Sequence, residues 1–85
     1  MSKLDKFVKK FLFEQNDNNL DFKMMCRFLE YSGFEKRVRG SHHIFAHPEI
    51  REIINLQPQH HLVKEYQARQ VRQLFNSYRL QSFIN

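Results

Sequence analysis

At Gly33-Phe34 the apolar periodicity of this chain changes from helical to extended, and that change restricts the order in which its elements can pack. Before it, Phe22, Met25, Cys26 and Leu29 recur at helical spacing on one face, which Phe28 widens. After it, Phe34, Lys36 and Val38 alternate with Glu35, Arg37 and Arg39, the period of a strand. Gly40-Ser41 then offers a tight reversal into a second extended run at 42–47, so a helix is followed directly by a hairpin. Pro48 ends the second strand because it cannot donate a ladder hydrogen bond, and Glu52-Ile53-Ile54-Asn55-Leu56-Gln57 reads as a third strand before Pro58.

The helix ends carry their own signals. Asp21 is the expected N-cap of the helix at 22–32, Leu20 and Met25 form a hydrophobic staple, and Gly33 supplies the residue that ends it. Ahead of it, Ser2 and Asp5 have the spacing of a capping box, and Leu4, Phe7, Val8, Phe11 and Leu12 make an apolar stripe through residue 13. Lys3, Lys6, Lys9 and Lys10 occupy the other side. A helix this short without Trp is a weak membrane anchor, so it is expected to dock on the domain. Residues 15–19 are a polar connector whose Asn and Asp side chains compete with helix. A last helix at 65–79 follows from Tyr66, Ala68, Val71, Leu74, Phe75 and Tyr78, with Arg69, Arg72, Gln73, Asn76 and Arg79 opposite. The order predicts an α+β fold with helices on one side of a three-stranded antiparallel sheet and the other side open.

A chain of 85 residues makes one domain, 1–85, with a single small core, for which nine Phe and three Tyr are well suited. The charge balance of 14 Lys and Arg against 9 Asp and Glu, +5 overall, fits a polyanionic partner such as nucleic acid and equally fits simple solubility. One cysteine, Cys26, forms neither an internal disulfide nor a zinc site, and its apolar neighbours mark it as a core thiol. No apolar window approaches the roughly 18 residues of a membrane span and no signal-peptide pattern begins the chain, so a cytoplasmic protein is expected.

Strand alternation separates the two histidines of Gly40-Ser41-His42-His43-Ile44-Phe45. If Phe45 faces the helices, Ser41 and His43 point with it, and His42, Ile44 and Ala46 lie on the outer face. An exposed imidazole can take a proton from a sugar hydroxyl at neutral pH and return it to a leaving oxygen. Lys36, Arg37 and Arg39 are near enough to stabilise charge on a phosphate. A strand histidine beside a turn is nevertheless more often a surface or hydrogen-bonding residue. Metal binding is not expected: His42, His43, His47, His60 and His61 show no ligand spacing, and adjacent strand histidines point apart. His60 and His61 read as solvated loop residues. Lys64, Arg69 and the basic face of the last helix could track phosphates or merely be solvated. Nothing supports an ATPase, esterase or glycosidase.

Taken together, Gly33-Phe34, Arg39-Gly40-Ser41-His42-His43-Ile44-Phe45, His47-Pro48, Glu52 through Gln57, Lys64, Tyr66-Gln67 and Val71-Arg72 resemble the HicA (YcfA-like) family of mRNA-interferase toxins over residues 20–80. The resemblance implies a fold like the double-stranded-RNA-binding domain, with residues 1–15 as an added helix, and a small ribonuclease without cofactors. It implies that His42, right after Gly-Ser, is required for cleavage and that His43 supports it. On this reading Arg37, Arg39, Ser41, His43, Lys64 and Arg69 contact RNA, and the protein partner is a HicB-type antitoxin that silences the toxin. Two further readings use the same residues: a non-catalytic RNA-binding module, and a protein-interaction module whose outer face, Ile44 included, is normally covered. The added first helix and the His60-His61 loop depart from the family pattern.

Overall fold

The computed structural model describes residues 2–80. The chain begins with helix α1, Lys3–Val8, which continues as a π-helical segment, Lys9–Phe13. The capping box forms: Ser2 Oγ accepts from the Asp5 amide at 3.1 Å, and Asp5 Oδ2 accepts from the Ser2 amide at 3.3 Å. The uniform α-helix expected to residue 13 is not what forms. From Lys9 the turns widen, with the Glu14 amide bonding back to the Lys9 carbonyl. A distant side chain ties this end down: Arg72 Nε donates to the Phe11 carbonyl within the segment and Nη2 to that of Asn16 in the connector beyond it, each at 3.1 Å. The same guanidinium lies 4.9 Å from the centroid of the Phe11 ring.

Helix α2, Phe22–Tyr31, starts at Asp21, whose Oδ2 accepts from the Met24 amide at 3.0 Å. It ends in a Schellman motif: the Gly33 amide bonds to the Glu30 carbonyl and the Phe34 amide to that of Leu29. Gly33 has φ +101°, and a Cβ there would lie 3.1 Å from Nε2 of the buried His47. Conformation and space both favour glycine.

Strands β1 (Glu35–Arg39), β2 (His42–Ala46) and β3 (Ile54–Leu56) form one antiparallel sheet in the order β1-β2-β3. Gly40 and Ser41 are the two turn residues between β1 and β2, Gly40 taking φ +58°. The third strand is shorter than the expected 52–57. Its ladder covers only His43↔Leu56, Ile44↔Asn55 and Phe45↔Ile54. Glu52 lies before the ladder and accepts a 2.8 Å hydrogen bond from the Tyr78 hydroxyl, which raises the tyrosine pKa.

Helix α3, Glu65–Tyr78, buries Gln67, Ala68, Val71 and Phe75. The apolar stripe is therefore rotated from the expected one: Gln67 is inside, while Tyr66 and Tyr78 are exposed. Tyr78 is instead engaged at its hydroxyl by Glu52. The α2–β1–β2–β3–α3 order is the arrangement implied by the resemblance, and all three helices contribute to one core.

Phe28 is the hub of that core. Its ring lies 5.9 Å from Phe7, 5.7 Å from Phe11 and 4.9 Å from Phe75, so it joins α1, α2 and α3. Phe45, Ile54 and Leu56 bring in the sheet from one face. Cys26 is buried at the edge of this core, and burial pushes its pKa up to about 11. At pH 8 the folded thiol is thus protonated and only 6 % exposed, and an aromatic disulfide reagent is expected to react with it far more slowly than with the unfolded chain. The sign for stability follows: between pH 9 and about 11 the unfolded chain loses this proton first, so the thiol's contribution to stability falls as pH rises through that window. Rapid native-state labelling at pH 8 would contradict this placement.

Candidate active site on the open sheet face

His42 opens β2 directly opposite Arg39. Phe45 is fully buried, so alternation sends His43 inward and His42 outward with Ile44. Arg37 sits opposite Ile44 and Arg39 opposite His42, which puts both arginines on the outer face with the imidazole. Both are exposed, and among the described residues neither forms an ion pair. From β3, Asn55 faces the same way, opposite Ile44.

Side-chain contacts hold the imidazole in this setting. His42 Nδ1 is 3.1 Å from Asn55 Oδ1, and His42 Nε2 is 3.2 Å from Gln57 Nε2. The Gln57 amide also donates to Ser41 Oγ at 3.1 Å. Ser41 thus shares the Gln57 amide with His42, while Arg39 stands across the strand pair from it and Arg37 lies two residues along the same face.

The remaining expected RNA contacts lie elsewhere. The His43 ring meets Phe22 edge-on, with centroids 4.8 Å apart, and its Nδ1 is 3.3 Å from the Ser41 carbonyl oxygen. It lines a groove of about 660 Å³ beside α2 with His60 and His61. Those two are exposed loop residues, but the loop is anchored: the Phe22 amide donates to the His61 carbonyl at 2.8 Å. Lys64 is the N-cap residue of α3 and borders Asn18, Asn19 and Glu65. Arg69 pairs with Asp17 at 3.6 Å and Glu65 at 4.0 Å, and Arg72 pairs with Asp17 at 2.6 Å. The face of the last helix that reads as a basic surface is therefore partly neutralised by the polar connector. Lys36, expected beside the phosphate, faces the helices and pairs with Glu30 at 3.5 Å.

Asn55 and Gln57 are the contacts that sequence reasoning missed. Their separation by two residues puts them on one face of an extended segment. Only the β2–β3 register, which no tight turn specifies, aligns that face with His42. Among the described residues no group of three His, Cys, Asp or Glu side chains is placed to hold a metal ion, and no helix is long and apolar enough to cross a membrane.

A three-stranded antiparallel sheet packed on helices through one face, with a pinned histidine beside two arginines on the other, defines an α+β protein with an open, basic sheet face. Residues 22–76 match the family model of the HicA toxin of bacterial toxin–antitoxin systems, a span that begins with α2 and runs into α3. The chain belongs to the HicA toxin family. No curated protein and no solved structure gives a significant match.

Proposed function

We propose that this toxin is a metal-independent endoribonuclease that cleaves mRNA in the cytoplasm, with His42 as its general base, and that a HicB-type antitoxin silences it by covering the outer sheet face. The observation that carries the reading is the exposed His42 ring, pinned by Asn55 and Gln57 beside two arginines without acidic partners. Family membership supports the toxin role.

In the proposed reaction, His42 Nε2 accepts the 2′-hydroxyl proton while the 2′-oxygen attacks the adjacent phosphorus. The P–O2′ bond forms as the P–O5′ bond breaks, and the imidazolium returns the proton to the departing 5′-oxygen. The products are a 2′,3′-cyclic phosphate and a 5′-hydroxyl. Arg39, paired across the strand with His42, and Arg37 on the same face offset charge on the non-bridging oxygens. Ser41 contributes a hydroxyl at the turn. His43, Lys64 and Arg69 are assigned, at most, to RNA outside the cleavage point. The Gln57 amide occupies the position that a substrate hydroxyl must take, as a donor 3.2 Å from Nε2.

An RNA carrying a single 2′-deoxy substitution at a mapped cut position tests the chemistry. Cleavage at that position is expected to disappear while neighbouring cuts persist. Continued cutting there would rule out attack by the 2′-oxygen.

A further inference from the structure

We infer that Asn55 is a positioning residue for His42: its side-chain oxygen holds the imidazole in the tautomer that carries hydrogen on Nδ1, leaving the Nε2 lone pair toward the open face. This rests on the general-base reading of His42 for its consequence in catalysis, but the tautomer itself follows from the contacts. Two neighbours constrain the ring from opposite ends. At Nδ1 stands Asn55 Oδ1, 3.1 Å away, which can only accept. At Nε2 stands the amide nitrogen of Gln57, 3.2 Å away, which can only donate. A hydrogen on Nε2 would face a donor at one end and leave two acceptors face to face at the other. The neutral ring that satisfies both contacts has its hydrogen on Nδ1.

In this orientation the same Gln57 nitrogen also reaches Ser41 Oγ at 3.1 Å, a hydroxyl that can serve as donor or acceptor. The backbone fixes where these groups stand. Asn55 lies directly opposite Ile44 on the central strand, and His42 is two residues from Ile44 on the same face, so the Asn55 side chain reaches His42 along a diagonal of the sheet. When RNA displaces the Gln57 amide, Asn55 keeps its hold on Nδ1, and Nε2 meets the incoming hydroxyl with its lone pair free. An acceptor behind the ring also stabilises the imidazolium that forms when the proton moves.

The test combines nitrogen-15 NMR of the His42 ring with cleavage kinetics for wild type, Asn55→Leu and Asn55→Asp. In wild type the neutral ring is expected to show a protonated Nδ1 and a bare Nε2. Because the Gln57 amide also favours hydrogen on Nδ1, Asn55→Leu is read in a Gln57→Ala background, where loss of the acceptor should release the ring to a tautomer mixture and lower kcat, relative to Gln57→Ala alone, by between about tenfold and the roughly 10²- to 10⁴-fold that a general base is worth, with KM little changed. Asn55→Asp restores an acceptor and should recover the Nδ1–H tautomer and much of kcat, with the acid limb of the pH–rate profile moved to higher pH. Hydrogen on Nε2 in the wild-type ring, or a tautomer that Asn55→Leu leaves unchanged in the Gln57→Ala background, overturns the inference. If the tautomer responds as expected but no form of the protein cleaves RNA, the positioning role stands and the nuclease reading falls.

Discussion

Phe28→Ala is expected to lower the unfolding free energy by about 3–5 kcal/mol, the usual range for deleting a buried phenyl ring. The upper part of that range applies here, because the site has little freedom to collapse. Phe28 is fully buried, and its ring meets Phe7, Phe11 and Phe75 from two other helices, so the cavity would open where three elements join. A small domain has only about 5–15 kcal/mol in total. The variant should therefore sit close to its unfolding transition at room temperature and show a large fall in urea midpoint. Phe13, 73 % exposed, provides the contrast on the same class of residue. Its replacement by alanine should change stability by no more than about 0.5 kcal/mol. Equal midpoint shifts for the two variants would contradict the packing described.

His42→Ala has the largest expected effect on activity and a small one on stability. Loss of a general acid–base residue costs roughly 10²- to 10⁴-fold in rate. The side chain is exposed, and its described hydrogen bonds go to Asn55 and Gln57 at the surface. Its removal leaves the core untouched, since the inward residues of β2 are His43 and Phe45. The thermal midpoint of the variant should consequently stay close to wild type while RNA cleavage and growth inhibition vanish. A large drop in midpoint would show that His42 is structural, and any loss of activity would then say little about chemistry.

Where structure is local, it is legible in the sequence. The capping box of Ser2 and Asp5, the Asp21 cap, the helix stop at Gly33 and the turn at Gly40-Ser41 each depend on residues within a few positions, and each forms as the residue types require. The outward setting of His42 was equally accessible, because one buried residue, Phe45, fixes the face of every other residue in its strand. What escaped depends on distant partners. The π-helical turn at Lys9–Phe13 is bound by Arg72, which lies 61 positions beyond Phe11. The third strand begins late, at Ile54, where Glu52 meets Tyr78 at the far end of α3. Arg69 and Arg72 read as a free basic face until Asp17 of the connector is seen beside them. The surroundings of His42 escaped for the same reason. Asn55 and Gln57 reach it only through a strand register set by tertiary packing.

These distinctions sharpen what the outer face can do. Its cations are Arg37 and Arg39, and its histidine has one nitrogen held from behind by an amide oxygen. The helical layer contributes stability through Arg72 and the aromatic cluster. Binding RNA through the sheet face alone would remain salt-sensitive whether or not cleavage followed, so binding does not separate a nuclease from a passive module.

The most direct measurement is therefore a side-by-side digestion of RNA by wild type and His42→Ala in the presence of a chelator, with the ends of the fragments identified. Fragments ending in 2′,3′-cyclic phosphate and beginning with a 5′-hydroxyl, produced by wild type and absent with His42→Ala, are the result predicted here. Equal cutting by the two proteins, or wild-type fragments with 3′-hydroxyl and 5′-phosphate ends, would contradict it.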